Sequence, residues 1–274
     1  MGTALRTEYR KLVTTRLWWV LLLAMAVYMA FLAAAMSYVL TRAPSAGANP
    51  FADPAEQPAP LSAEQIAQTV YTLATSLGYV FPVVVGALAM TGEFRHLTIT
   101  PTLLAEPRRT VVLAAKMISS VAVGLLFGLV GTLATVGAGA ATLALLGEDP
   151  QLTDPIVLRS AALSVLALTV WTVVGVGFGT LMTNQVAVIV VLLAFTQFVE
   201  PILRLVLGQL DWSDGISKYL PGAAGEAITG ASFYTGSGIG PELLSSAAGL
   251  VVLLAYALVF ATLGRLLTLR RDIT

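Results

Sequence analysis

The chain has no cysteine, which excludes a disulfide framework, a thiol nucleophile and a thiolate metal centre. A single histidine, His96, leaves little for a zinc site or a serine–histidine triad. Charge is scarce: 11% of residues are Asp, Glu, Lys or Arg, against roughly 25% in soluble domains. The formal net charge of +0 lacks the basic excess of a nucleic-acid binder, so no nucleic acid is expected as a partner. An ATP-binding loop of the form G-x-x-x-x-G-K-[ST] is missing, because the three lysines follow Arg10, Ala115 and Ser217. Ion-coupled carriers bury acids or histidines near mid-membrane. Here Glu200 is the one acidic candidate, and it reads as outer-edge. No serine or aspartate stands paired with a base for intramembrane hydrolysis, so no catalytic residue and no metal site is expected.

What is present is apolar. Of 274 residues 57% are hydrophobic, and the mean hydropathy is +0.85. A soluble globule could not hide so much apolar surface, so the solvent of this chain is lipid. Six runs are long enough to cross a hydrocarbon core, at about 17–40, 66–90, 111–146, 159–182, 186–207 and 243–267. In lipid each must be helical, since every backbone amide needs an internal partner. The expected fold is all-α: a polytopic membrane protein with six transmembrane helices, an N-terminal interfacial helix over 1–16, and re-entrant outer helices at about 200–240 before the last span. The whole chain, 1–274, reads as one transmembrane domain. The third run is too long for one perpendicular span; it begins as cytosolic helix, tilts, or breaks near Gly137 and Gly139. Ser62 with Gln65 forms a capping box before the second run, Asp154-Pro155 opens the fourth, and Gly240-Pro241-Glu242 opens the sixth. Gly124-x-x-x-Gly128 and Gly175-x-x-x-Gly179 place small residues for close helix packing.

Basic residues set the orientation. Arg6, Arg10, Lys11, Arg16, Arg95, Arg108, Arg109, Lys116, Arg265, Arg270 and Arg271 fall in the termini and the even-numbered loops; Arg42, Arg159, Arg204 and Lys218 fall on the other side. Both termini are therefore expected in the cytosol. In residues 1–16 Arg6, Arg10 and Lys11 are placed to snorkel, while Leu5, Tyr9, Leu12 and Val13 share an apolar face. The first outer loop, rich in proline and alanine, reads as solvated chain. Pro201 follows Glu200 within the fifth run, so that span is expected to end near Glu200; Arg204 stands four residues on, the spacing of an ion pair. Thr69, Thr72, Ser76 and Tyr79 are spaced along one face of the second run. They either bond to the helix's own carbonyls or form a weakly polar wall of a substrate path, with Gln197 of the fifth run facing it. Pro82 is expected to kink the helix just beyond.

Between the second and third runs lies "GEFRHLTITPTLLAEPRRTVVLAAK". Glu93 and Arg95 close the second run, a short helix over 99–105 offers a compact knob, and Arg108 and Arg109 lead into the third run. This stretch resembles the cytosolic signature of type-2 ABC exporter permeases, with Glu93, Thr98, Leu104, Pro107, Arg109 and Lys116 on the matching positions. Leu97 stands where that family usually has glycine. "EYRKLVTTRLWW", from Glu8, is similar to the family's N-terminal connecting helix, and "KYLPGAAGEAI", from Lys218, to its outer segment before the last span.

The resemblance implies a membrane-spanning subunit of an ATP-driven exporter in a bacterial plasma membrane. Two copies of a separate ABC ATPase would bind ATP and Mg, with no cofactor in this chain. A second permease subunit, a homodimer being favoured, would complete a path for a drug, antibiotic or lipid. The loop 91–110 would be the coupling element, carried by Glu93, Phe94, Arg95, Thr98, Ile99, Leu103, Leu104, Pro107 and Arg109, with the helix of Arg6, Tyr9, Arg10 and Lys11 beside it. An ion-coupled secondary transporter and a non-transporting membrane scaffold or sensor are the alternatives.

Overall fold

The structure is a computed structural model and describes residues 17–42, 61–207, 214–236 and 243–268. The interfacial helix expected over 1–16, most of the first outer loop, parts of the outer segment and the Gly240-Pro241-Glu242 opening lie outside the described residues. Within them every regular element is helical. The elements are α1 (Leu17–Arg42), α2 (Ala63–Tyr71), α3 (Leu73–Ser76), α4 (Val80–Arg95), α5 (Ile99–Ala105), α6 (Arg109–Leu145) and α7 (Pro155–Gly179). They continue as α8 (Gln185–Ala194), a π-turn (Phe195–Val199), α9 (Glu200–Leu207), α10 (Asp214–Ser217), α11 (Pro221–Thr229), α12 (Phe233–Gly236) and α13 (Ser246–Leu267).

Five helices among the described residues are long and apolar enough to cross a membrane: α1, α6, α7, the unbroken Gln185–Leu207 rod and α13. The second apolar run is not one helix. It is interrupted at Thr72 and again at Leu77–Tyr79, where α4 starts afresh. Pro82 accounts for the second break: it has no N–H to offer the Gly78 carbonyl, and its ring crowds that oxygen. α6 keeps its 37 residues helical straight through Gly137 and Gly139, about 55 Å at 1.5 Å per residue. That is well beyond a hydrocarbon core of about 30 Å. The Ser62–Gln65 capping box forms, with Ser62 N–H donating to Gln65 Oε1 at 2.9 Å. Asp154 caps α7 by accepting from the Ile156 amide at 2.7 Å. α13 opens three residues later than the apolar pattern suggests, because Ser245 caps it by accepting from the Ala248 amide.

Direction alternates along the chain. α1 and α6 run the same way, since Met25 faces Gly131 and Ser37 Oγ donates to the Gly139 carbonyl. α7 runs back along α6, with Val165 beside Gly128 and Thr169 beside Gly124. It lies parallel to α4, where Gly175 meets Val83 and Gly179 meets Ala87. The Gln185–Leu207 rod opposes α4: Arg95 reaches Gln185 at one end, and Tyr79 reaches Thr196 at the other.

α7 is the core helix. Of its apolar window 61% is buried, against 22% for α1 and for the Gln185–Leu207 rod. It touches α4, α6, α11 and α13. Both glycine motifs serve this packing: a β-carbon on Gly128 would stand 2.7 Å from the Val165 carbonyl oxygen, and one on Gly179 would stand 2.6 Å from that of Ala87. The outer helices turn large apolar side chains away from the protein, as with Leu23, Val27 and Phe31 on α1 and Val251 and Leu258 on α13. Such faces are stable where lipid covers them.

The α4–α7 crossing is the tightest test of this packing. A β-carbon on Gly175 would run into the Val83 carbonyl oxygen. Gly175→Ala is expected to destabilise the detergent-solubilised protein by about 1–3 kcal/mol through overpacking. Gly137→Ala, in open space on α6, is expected to stabilise it by about 0.5–1 kcal/mol through helix propensity. Thermal unfolding of the two variants measures both signs.

Candidate functional site

The segment after α4 is fastened to the bundle by charge. Glu93, in the last turn of α4, accepts from Lys116 Nζ of α6 at 2.7 Å, and both side chains are closed off from solvent. α4 then ends in a Schellman turn. The Thr98 amide donates to the Glu93 carbonyl at 2.9 Å, and the Leu97 amide to the Phe94 carbonyl at 3.3 Å. This geometry places Leu97 at the left-handed position, φ 57. Glycine normally occupies that position. A leucine there costs about 1–2 kcal/mol.

The turn folds α5 back under α4. Ile99 and Leu103 pack on Met90 and Phe94 in a small apolar cluster. The opposite side of α5 is exposed at Thr100, Pro101, Leu104 and Ala105. Thr98 precedes α5 without a side-chain cap and accepts from Thr102 Oγ1 at 2.8 Å. Arg95 is exposed and donates to Gln185 Oε1 at 3.3 Å, tying α4 to the start of α8. Pro107 and Arg108 are exposed, and Arg109 is half-buried as the first residue of α6. The loop residues singled out from the sequence thus form one structure, an inner half holding the helix and an outer half left open. Beside Lys116 a cavity of about 10 Å³ lies between α4, α6 and α7, lined by Val85, Ala89, Ser119, Ser120 and Thr172 among others.

At the other end of α4 the hydroxyl ladder is buried. Thr72 Oγ1 donates to the Gln68 carbonyl at 2.7 Å. Ser76 Oγ accepts the Phe233 amide at 3.5 Å. Tyr79 stacks on Trp171, centroids 4.4 Å apart, and donates to the Thr196 carbonyl at 3.2 Å. Gln197, half-buried, donates to Thr196 Oγ1 at 3.4 Å. Thr69 is buried nearby. In this conformation Thr69, Thr72, Ser76 and Tyr79 are buried in the protein rather than lining an open path, and Gln197 is half-buried.

The Gln185–Leu207 rod does not end at Glu200. It continues as α9 because its charges are neutralised inside the protein. Arg204 donates to Glu200 Oε1 and to Glu226 Oε2, each at 2.8 Å. Glu200 Oε1 also accepts the Gly222 and Ala223 amides, at 2.6 and 3.3 Å, at the start of α11, where the helix dipole favours an anion. Ser232 Oγ donates to Glu226 Oε2 at 2.6 Å, and the Arg204 guanidinium lies 4.8 Å from the centre of the Tyr234 ring. Burial pushes the Tyr234 hydroxyl above the usual tyrosine range; Arg204 works against this, and Glu226 and Glu200 add to it. The i,i+4 pair was legible in the sequence, whereas Glu226, Trp171, Ser232 and Tyr234 were missed. One signal was available: Glu226 stands in the apolar run "PGAAGEAIT" with no cation near it in sequence, so it had to find one elsewhere in the fold.

The fold and these sites define a multi-pass helical membrane protein without a nucleotide-binding loop of its own. The chain belongs to the ABC-2 family: the sequence profile described as ABC-2 family transporter protein matches residues 3–273. No curated protein sequence matches it. It is a membrane permease of an ABC transporter, and the family implies partnership with an ABC ATPase.

Arg204 holds two buried carboxylates. Arg204→Met is expected to cost about 3–5 kcal/mol, since it strands both. The triple variant Glu200→Gln, Arg204→Met, Glu226→Gln should recover most of that loss. Thermal unfolding of single and triple variants in the same detergent checks the contrast.

Proposed function

We propose that this chain is the membrane-spanning subunit of an ATP-driven exporter, powered through the 91–110 loop by a separate ABC ATPase. The observation that carries the reading is the mounting of α5. The helix is fixed to α4 by the Schellman turn and the Ile99–Leu103 cluster, and α4 is fixed to α6 by Glu93–Lys116. Its outer half, including Leu104, is left open. A force applied to α5 therefore reaches α4 and α6 together.

In this reading residues 63–95 form a sixth crossing, broken at Leu77–Tyr79, and both termini face the cytosol of a bacterial cell. Glu93, Phe94, Ile99 and Leu103 transmit force, Arg95 links the loop to α8, and Arg108 and Arg109 anchor it at the headgroups. The 1–16 segment flanks the same surface. α11, with its neighbours, is the outer segment that enters the membrane without crossing it. Two ATPase copies bind ATP and Mg, and their closure supplies the differential binding that a two-state transition needs. A second copy of this chain completes the path. The cavity of about 10 Å³ beside Lys116 is far smaller than the roughly 300–1,000 Å³ of ligand pockets. That supports a route between two subunits. Apolar helix faces suit a drug, antibiotic or lipid as cargo, moved out of the cytosol or the inner leaflet.

The test is ATP hydrolysis by the reconstituted complex. The double charge reversal Glu93→Lys, Arg95→Glu is expected to abolish substrate-stimulated hydrolysis. Adding Lys116→Glu, which restores the opposite charge beside position 93, should return part of it. Unchanged assembly and unchanged stimulation in the double variant would remove the loop from the power route. Transport by the purified chain alone would move the protein to the ion-coupled class.

A further inference from the structure

Leu97 is the one residue of the loop where local physics and the amino acid disagree. The Schellman turn demands a left-handed residue at this position, and any β-carbon is strained there. Glycine would relieve the strain and keep both turn hydrogen bonds. The leucine side chain is left open: it is 79% exposed, the same as Leu104. It does not join Met90, Ile99, Phe94 and Leu103 in the cluster beneath α5. Among the described residues the strain is thus not repaid.

We infer that Leu97 is a partner-recognition residue: with Leu104 it forms an aliphatic peg that enters an apolar pocket of the ABC ATPase. The inference rests on the coupling reading of the loop and adds to it the residue that selects the partner. Leu97, Pro101 and Leu104 are all exposed: Pro101 and Leu104 lie three residues apart on one face of α5, and Leu97 stands in the turn that leads into it. The peg is flanked by the exposed cation Arg95, so the pocket it fits is apolar with an acidic rim. An ATPase evolved for a glycine at this position would lack the pocket for Leu97 and would bind less well.

The absence of native cysteine makes the test clean. The permease in lipid nanodiscs is titrated with the purified ABC ATPase encoded in the same gene cluster. Leu97→Ala, which keeps the strain and removes the peg, is expected to weaken binding about tenfold, the scale of a buried interface anchor. Leu97→Gly should weaken it as much while raising the melting temperature of the permease alone. Leu97→Met should bind like the native chain. A bimane on Leu97→Cys should report water before the ATPase is added and an apolar site afterwards. Native affinity in Leu97→Ala overturns the inference, because the side chain then makes no contact with the partner. A bimane already in an apolar site without the ATPase also overturns it, and places Leu97 in the lipid headgroups. Failure of the native permease to bind the ATPase at all would overturn the coupling reading itself.

Discussion

A carboxylate and an ammonium 2.7 Å apart, sealed from solvent, join the end of the second apolar segment to the start of the third. In a chain whose outer surface suits lipid, neither Glu93 nor Lys116 could be buried alone, because an isolated ion in a low-dielectric interior costs several kcal/mol. Their pairing fixes how α4 and α6 meet, and so fixes where the turn at Leu97 and the helix α5 project. The same rule operates at the far end of α4. Arg204 is buried only because Glu200 and Glu226 face it, and Glu200 only because the amides of α11 help to hold it. Charge is rare in this protein, and what is buried has been placed to lock helix ends together.

Much of this was legible in the sequence, for reasons particular to lipid as a solvent. Apolar runs must become helices, so the long elements follow from hydropathy alone, and the glycine pairs at Gly124/Gly128 and Gly175/Gly179 mark where helices approach closely. The capping residues Ser62 and Asp154 sit at true helix starts because their side chains answer local amides. What could not be read was long-range. Nothing near Glu226 in the sequence names Arg204 as its partner, and the partnership is what allows the rod to run on past Glu200. The break at Leu77–Tyr79 follows from Pro82, but the interruption at Thr72 has no such marker. In the loop, the helix over 99–105 was visible, whereas the pairing of Glu93 with Lys116 emerges only when α4 and α6 are set side by side, and the positive φ of Leu97 only with the turn that ends α4.

These two charged junctions are the two ends of one rod. α4 runs unbroken from Val80 to Arg95, with Tyr79 stacked on Trp171 just above it and Glu93 locked to Lys116 below. Along its length it is packed on α7 so closely that glycine is needed on both sides, at Gly86 and Gly175. A lever of this kind transmits displacement rather than absorbing it. Under the proposed function the break before Val80 separates this lever from the buried hydroxyl ladder and the Arg204 cluster, which hold still. In the same proposal the energy source is the separate ABC ATPase.

The most direct measurement is a photo-crosslink from position 104, the exposed leucine of α5, in intact cells, with the product identified by mass spectrometry. The account predicts an adduct to an ABC ATPase subunit, formed without access of impermeant reagents from outside the cell. An adduct confined to lipid, or labelling of the same position by a reagent that cannot cross the membrane, would contradict it.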